Sequence, residues 1–236
     1  MFIPLSDDAP HARERPPHVT YGIIAANIVV FLMMLTLAPG EQQAFALTWG
    51  VVPGVVTGLF PSDAMHRVAP FLTYMFLHGG WSHIIFNMLF LWIFGDDVED
   101  AMGPGKFALF YGLCGVAGAM VYVFFAASPG APLVGASGAI AGVMAAYMMI
   151  RPCARVKVLF LIIILNIRAI WLIAVWALTQ VTNVLEPTAI NATTAWWAHI
   201  GGFLAGAALV APFKKPGVRL FQCRKTYAGP WGSARA

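Results

Sequence analysis

The chain has 236 residues, 60% of them hydrophobic and 10% charged, whereas a soluble domain carries about 25% charged residues. With a mean hydropathy of +0.77, the composition excludes an ordinary soluble globular protein. Long apolar stretches parted by short polar ones predict an all-α fold, a polytopic bundle of six transmembrane helices; a membrane β-barrel would show weak alternating segments of about ten residues instead. The net charge of +4 has two possible sources, nucleic-acid binding or membrane orientation, until the basic residues are placed.

Residues 1–18 mix prolines, acids and arginines without the apolar core of a signal peptide, and read as a disordered cytoplasmic leader. The first span covers residues 19–38, broken only by Asn27 and stopped by Pro39-Gly40, enough to cross a hydrocarbon core of about 30 Å. Glycines and prolines interrupt residues 41–80 too often for a straight span and place them at the membrane interface. The second span, 81–95, continues as a helix through Asp96, Asp97, Glu99 and Asp100 to Gly103-Pro104-Gly105, and the third covers 107–127. A fourth runs over 136–150 until Arg151-Pro152; at about 1.5 Å per residue it reaches roughly 22 Å, so one of its ends lies inside the membrane plane. Asn166 and Arg168 divide the next apolar stretch into an interfacial approach, 156–165, and a fifth span, 169–185. The sixth span is 196–213, which closes a membrane domain of residues 19–213, and a basic tail expected to be disordered occupies 214–236.

With the N-terminus in the cytoplasm, Arg13, Arg15, Lys106, Arg151, Arg155, Lys157, Arg168, Lys214, Lys215, Arg219, Arg224, Lys225 and Arg235 fall inside, and of the 14 basic residues Arg67 alone falls outside. The positive-inside rule then accounts for the basic charge, with both termini cytoplasmic and no nucleic-acid partner. Cys114, Cys153 and Cys223 show no C-x-x-C and no pairing spacing, so neither a disulfide framework nor a zinc site is expected.

Polar side chains within spans are costly and tend to face the bundle interior. His83 and Asn87 stand on one helical face near the outer start of the second span. Ser137 lies at the outer start of the fourth, in Gly135-Ala136-Ser137-Gly138, and His199 near the outer start of the sixth. Each has an alternative reading: the serine as a carbonyl-bonding or packing residue, the histidine as a structural hydrogen-bonder, the His83/Asn87 pair as a tie between helices. Gly138-x-x-x-Gly142 and Gly202-x-x-x-Gly206 are small-residue stripes that let two helices approach closely. That approach brings a serine and a histidine of equal depth within reach of each other. A hydroxyl becomes a nucleophile when a neutral imidazole takes its proton. All ten acids lie in loops, at helix ends or in the leader, with Glu186 nearest His199 in sequence, so the pattern supports a Ser–His dyad without a carboxylate. Backbone N–H groups at the start of the fourth helix, Ser137 included, are donors for an oxyanion, and His83 and Asn87 can add to them.

These motifs resemble those of the rhomboid family of intramembrane serine proteases. His83 and Asn87, with the preceding Phe76-Leu77-His78-Gly79-Gly80-Trp81-Ser82, resemble the family's H-x-x-x-N segment; Gly135-Ala136-Ser137-Gly138 resembles G-x-S-G; and Ala198-His199 with Gly202 and Gly206 resembles A-H-x-x-G-x-x-x-G. The resemblance implies Ser137 as nucleophile, His199 as base, and an oxyanion hole from His83, Asn87 and the Ser137 amide. It implies hydrolysis of peptide bonds in or beside transmembrane segments of membrane-protein substrates in the lipid bilayer; the minimal six-span plan points to a bacterial inner membrane, and no metal or cofactor is expected. It also makes the fifth span, with Trp171 and Trp176, a lateral gate, although those rings read equally as lipid-facing aromatics. Two positions depart from the pattern: His66-Arg67 where many members have Trp-Arg, and Ala141 where many have an aromatic packed on the histidine. His78 is expected to stabilise its loop, while His11, His18 and His66 are expected to be solvated. A weak or inactive relative that binds membrane-protein clients is the alternative; a small transporter would need polar residues through both halves of the bilayer, and the inner halves are nearly bare.

Overall fold

The computed structural model describes residues 2–8, 16–185 and 195–223. In chain order the elements are strand β1 (Phe2–Asp7), helix α1 (His18–Leu35), four short helices α2 (Pro39–Trp49), α3 (Pro53–Val56), α4 (Ala64–Val68) and α5 (Pro70–Thr73), and a 3-10 turn (Tyr74–Phe76). Then come α6 (Trp81–Met102), α7 (Pro104–Phe125), α8 (Ser137–Ile150), strands β2 (Arg155–Phe160) and β3 (Ile163–Arg168), α9 (Ala169–Leu185) and α10 (Trp196–Phe213). By length and apolarity α1, α7 and α10 can each cross a bilayer, and α6 qualifies together with the segment Ala64–Phe76, bent from it by 79°. The two shorter apolar helices, α8 and α9, have 14 and 17 residues.

Helix α8 is the hub. It lies against α6, α7 and α10, and eleven of its fourteen residues are buried, from Gly138 to Tyr147 without a break and then Ile150. Glycine makes this possible: a Cβ on Gly202 would stand 1.9 Å from the Gly138 carbonyl oxygen, and one on Gly206 would stand 2.2 Å from that of Gly142. Between apolar helices in lipid there is little hydrophobic drive, so close backbone contact of this kind supplies the attraction.

Acids at the C-terminal end of α6 tie the other end of the bundle together. Glu99 accepts from the backbone N–H of Val19 (3.1 Å), from that of Thr20 (2.8 Å) and from the Thr20 hydroxyl (2.8 Å), which anchors the start of α1. Asp97 pairs with Arg151 at the end of α8 at 3.3 Å, and Lys215 just beyond α10 approaches Asp100 at 4.0 Å. The helix therefore continues through its acidic residues, as the sequence predicts, and Asp97 and Asp100 each meet a cation while Glu99 meets the N-terminus of α1.

Three expectations for the polar segments need correction. The leader is not wholly disordered: residues 2–7 form β1, antiparallel to β2 with Ile3 opposite Leu159 and Asp7 opposite Val156, and the Tyr147 hydroxyl donates to Asp7. The stretch 156–165 is not simply an approach to a helix but most of a β2–β3 hairpin, in register from Arg155 opposite Arg168 to Phe160 opposite Ile163. Its β-branched alternation, with Val156 and Val158 fully buried, suits a strand packed on one face. The first part of the tail also returns to the body. The Phe221 backbone N–H donates to the Met149 carbonyl at 2.7 Å, and Cys153 and Cys223 are disulfide-bonded with Cα atoms 5.1 Å apart. A separation of 70 residues carries no pairing signal in the sequence, which is why no bond was expected. Residues 9–15, 186–194 and 224–236, and with them His11, Arg13, Arg15, Glu186, Arg224, Lys225 and Arg235, lie outside the described residues.

Candidate active site

The chain enters α8 through a turn that only glycine fits. Gly135 has φ +116, and a Cβ there would stand 2.5 Å from Nε2 of His83, so both the backbone conformation and the ring above it require hydrogen at that position. The Gly135 N–H donates to the Tyr74 carbonyl at 2.9 Å, which fixes the loop against the 3-10 turn. Ser137 is then the first residue of α8, preceded by Ala136 with no side-chain cap. The amides of the first helical turn have no carbonyl partner within their own helix, and they point out of its N-terminal end.

From α10, His199 comes down beside that end. Its Nε2 lies 2.7 Å from Ser137 Oγ, and its Nδ1 lies 2.8 Å from Oε1 of Gln180 on α9. Glycines of α8 and α7 hold this spacing: Gly138 packs beneath the Ala198 carbonyl, where a Cβ would meet its oxygen at 3.3 Å, and Gly118 of α7 packs against the same carbonyl, where a Cβ would stand 2.6 Å from its oxygen. His199 and Gln180 are buried, while Ser137 remains partly exposed. Two indole rings enclose the imidazole, Trp176 with its centroid 6.0 Å away and Trp196 edge-on at 5.7 Å.

The other expected contributors fall into two groups. His83 lies over Gly135, two residues before Ser137, and meets His78 edge-to-face at 5.0 Å. Asn87, one turn further along α6, is buried and donates to the His83 carbonyl at 2.9 Å. His78 is buried in the loop before α6, whereas Trp171 is 64% exposed on the outside of α9. Away from the site, His66 is not merely solvated. Asp63 caps α4 by accepting from the His66 backbone N–H at 2.9 Å and also meets the ring Nδ1 at 2.9 Å; the backbone bond, then the ring, hold this exposed carboxyl below its ordinary pKa. Among the described residues no group of three or more His, Cys, Asp or Glu is arranged to hold a metal ion.

A family model, the rhomboid domain, matches residues 65–216. This chain belongs to the rhomboid family. Rhomboid protease GluP of Bacillus subtilis (strain 168) is 31% identical over 196 residues, which is 83% of this chain and 36% of that protein. Rhomboid protease GlpG of Enterobacter sp. (strain 638) is 34% identical over 95 residues, and that of Salmonella typhi is 32% identical over 94, in each case 40% of this chain and 30% of the relative. The chain spans about a third of the length of these curated relatives. Family membership and the apolar helices together make it an integral membrane protein.

Within this rhomboid domain three residues of the site went unread in the sequence. Gln180 is an amide in the middle of an apolar helix, and the rule that singled out Asn87 and His199 applies to it equally. The Tyr74 hydroxyl donates to the Gly115 carbonyl at 2.8 Å and lies close under Gly138, while Cys114 fills the space against Gly142. Those two contacts join residues remote in sequence, and no local pattern announces them.

Proposed function

We propose that this rhomboid protein is an intramembrane serine protease that cleaves peptide bonds in or next to transmembrane segments of membrane-protein substrates, with Ser137 as nucleophile and His199 as general base. The observation that carries the reading is the 2.7 Å approach of His199 Nε2 to Ser137 Oγ at the unpaired N-terminal end of α8. The imidazole takes the hydroxyl proton as Oγ adds to the scissile carbonyl carbon. The oxyanion so formed is met by the first-turn amides of α8, that of Ser137 among them, with His83 and Asn87 supplementing them from α6. Protonated at Nε2, His199 then delivers that proton to the departing amine, which leaves an acyl ester on Ser137. Water attacks the ester with His199 again as base, and the carboxylic product departs with the enzyme restored. A dyad without a carboxylate suits the setting, because it places no fixed charge in the membrane.

On this reading the chain threads the membrane six times. Helices α1, α6, α7, α8, α9 and α10 are the spans, both termini lie in the cytoplasm, and Ser137 opens to the outer side of a bacterial inner membrane. The partial exposure of Ser137 supports access for the water that deacylation needs. The two tryptophans beside His199 take the place of the aromatic absent at Ala141.

The test is covalent labelling of the purified protein by a fluorophosphonate, which needs an activated serine and no knowledge of the substrate. Wild type is expected to label, and Ser137→Ala and His199→Ala to lose labelling together with cleavage of a model transmembrane substrate. Folded wild type that neither labels nor cleaves would overturn the reading.

A further inference from the structure

A base works only if the lone pair faces the hydroxyl, and an imidazole has two neutral tautomers to choose from. In a Ser–His–Asp site a carboxylate makes the choice. Among the described residues no acid is hydrogen-bonded to His199; Gln180 is. Its amide orientation follows from the hydrogen bonds around it. Nε2 of Gln180 donates to the Trp176 carbonyl at 2.8 Å and to the Thr179 hydroxyl oxygen at 2.9 Å, and the Thr179 hydroxyl in turn donates to the same Trp176 carbonyl at 2.6 Å. Both amide hydrogens are committed, so the atom 2.8 Å from His199 Nδ1 is the carbonyl oxygen, which can only accept. Nδ1 must then carry the imidazole hydrogen, and Nε2 presents its lone pair to Ser137 Oγ.

From this geometry we infer that Gln180 is a positioning residue for the proposed protease reaction: it holds His199 in the Nδ1–H tautomer and, with Trp176 one turn earlier against the same ring, fixes the ring's orientation. The inference rests on the Ser137–His199 reading. An amide stands where a carboxylate stands in the three-residue sites, and it performs the orienting part without burying a charge. There is a structural consequence. Of the seventeen residues of α9 only Ala169, Ile173 and Gln180 are buried, so the partner that sets the base rides on the least buried of the helices α1, α6, α7, α8, α9 and α10. The base is set only while α9 is seated against α10.

Two measurements test this on the full chain. With histidine carrying nitrogen-15, and the His199 signal assigned by difference from His199→Ala, the wild type at alkaline pH is expected to show His199 protonated at Nδ1. In Gln180→Leu the Nε2–H form should appear. An unchanged tautomer in Gln180→Leu overturns the inference, and this arm needs no turnover, so it decides the matter even if wild type fails to label. In the kinetic arm, fluorophosphonate labelling of Gln180→Leu is expected to slow about tenfold or more, since an orienting partner is worth up to about four orders of magnitude in the carboxylate case. Gln180→Glu should recover the rate at alkaline pH. Its carboxylate also favours the imidazolium, so the acid limb of its pH–rate profile should move up by about one unit or more. A residue that merely filled space would tolerate Leu at least as well as Glu and would leave the pH midpoint where it was; that outcome also overturns the inference.

Discussion

Helices α8 and α9 are both short, both apolar and nearly adjacent in the chain, yet the first has eleven of fourteen residues buried and the second three of seventeen. The difference lies in the side chains. α8 is built from Gly, Ala and a few larger residues that interlock with α6, α7 and α10, whereas α9 turns Trp171, Val175, Leu178 and Val181 outward. One helix is held by protein packing, the other by a few anchors and by whatever apolar medium surrounds it. The proposed nucleophile sits on the first, and the residue inferred to orient the base sits on the second, so the site joins a rigid part to a loosely held one.

The sharpest way to break the contrast is to remove the contact that makes α8 rigid. In Gly202→Val the first added carbon would already meet the Gly138 carbonyl oxygen at 1.9 Å, and backbone on both sides leaves nothing flexible to yield. A loss above about 4 kcal/mol is expected, seen as a collapse of thermal stability in detergent together with loss of labelling. If Gly202→Val kept both, the close approach of α8 and α10 would not be what holds the site.

A smaller and paired comparison sharpens it. Met144 on α8 is 2% exposed, and Leu178 on α9 is 61% exposed. Met144→Ala is expected to cost about 3 kcal/mol through the cavity it leaves. Leu178→Ala should stay within about 0.5 kcal/mol and label at the wild-type rate. Equal costs at the two positions would mean that α9 is anchored as firmly as α8.

The same contrast explains how much could be read in the sequence. The six helices, the glycine stripes and the Ser137–His199 juxtaposition were legible because membrane helices must be long and apolar, and because polar groups inside them need a reason. Gly135 shows the limit of that reading: its motif was visible, but its φ of +116 and the His83 ring above it were not. Strand β1 and the tail were read as disordered because local composition gave no sign of partners 140 residues away, such as Tyr147 for Asp7. Ala141 offers no ring to support His199. Of the rings that support it, Trp176 comes from α9, where no local pattern shows what a ring will touch, whereas Trp196 stands three residues before His199 on the same helix, a spacing at which side chains meet.

The smallest effect has the opposite sign, and it lies at the link between the two helices. The β2–β3 hairpin connects α8 to α9, and its turn places Leu161 at φ 56, a left-handed conformation that costs an L-residue roughly 1–2 kcal/mol and glycine almost nothing. Leu161 is also 77% exposed, so little packing is lost with its side chain. Leu161→Gly should therefore stabilise the hairpin, but glycine also enlarges the freedom of the unfolded chain, which leaves a net gain of about 1 kcal/mol at most. Thermal stability should rise slightly, and labelling should not change. Should labelling change instead, the turn would have to act through the helix it leads into, since Ser137 and His199 are fixed on α8 and α10. That outcome would mean that the hairpin helps to seat α9, and with it the Gln180 carbonyl on which the tautomer of His199 depends.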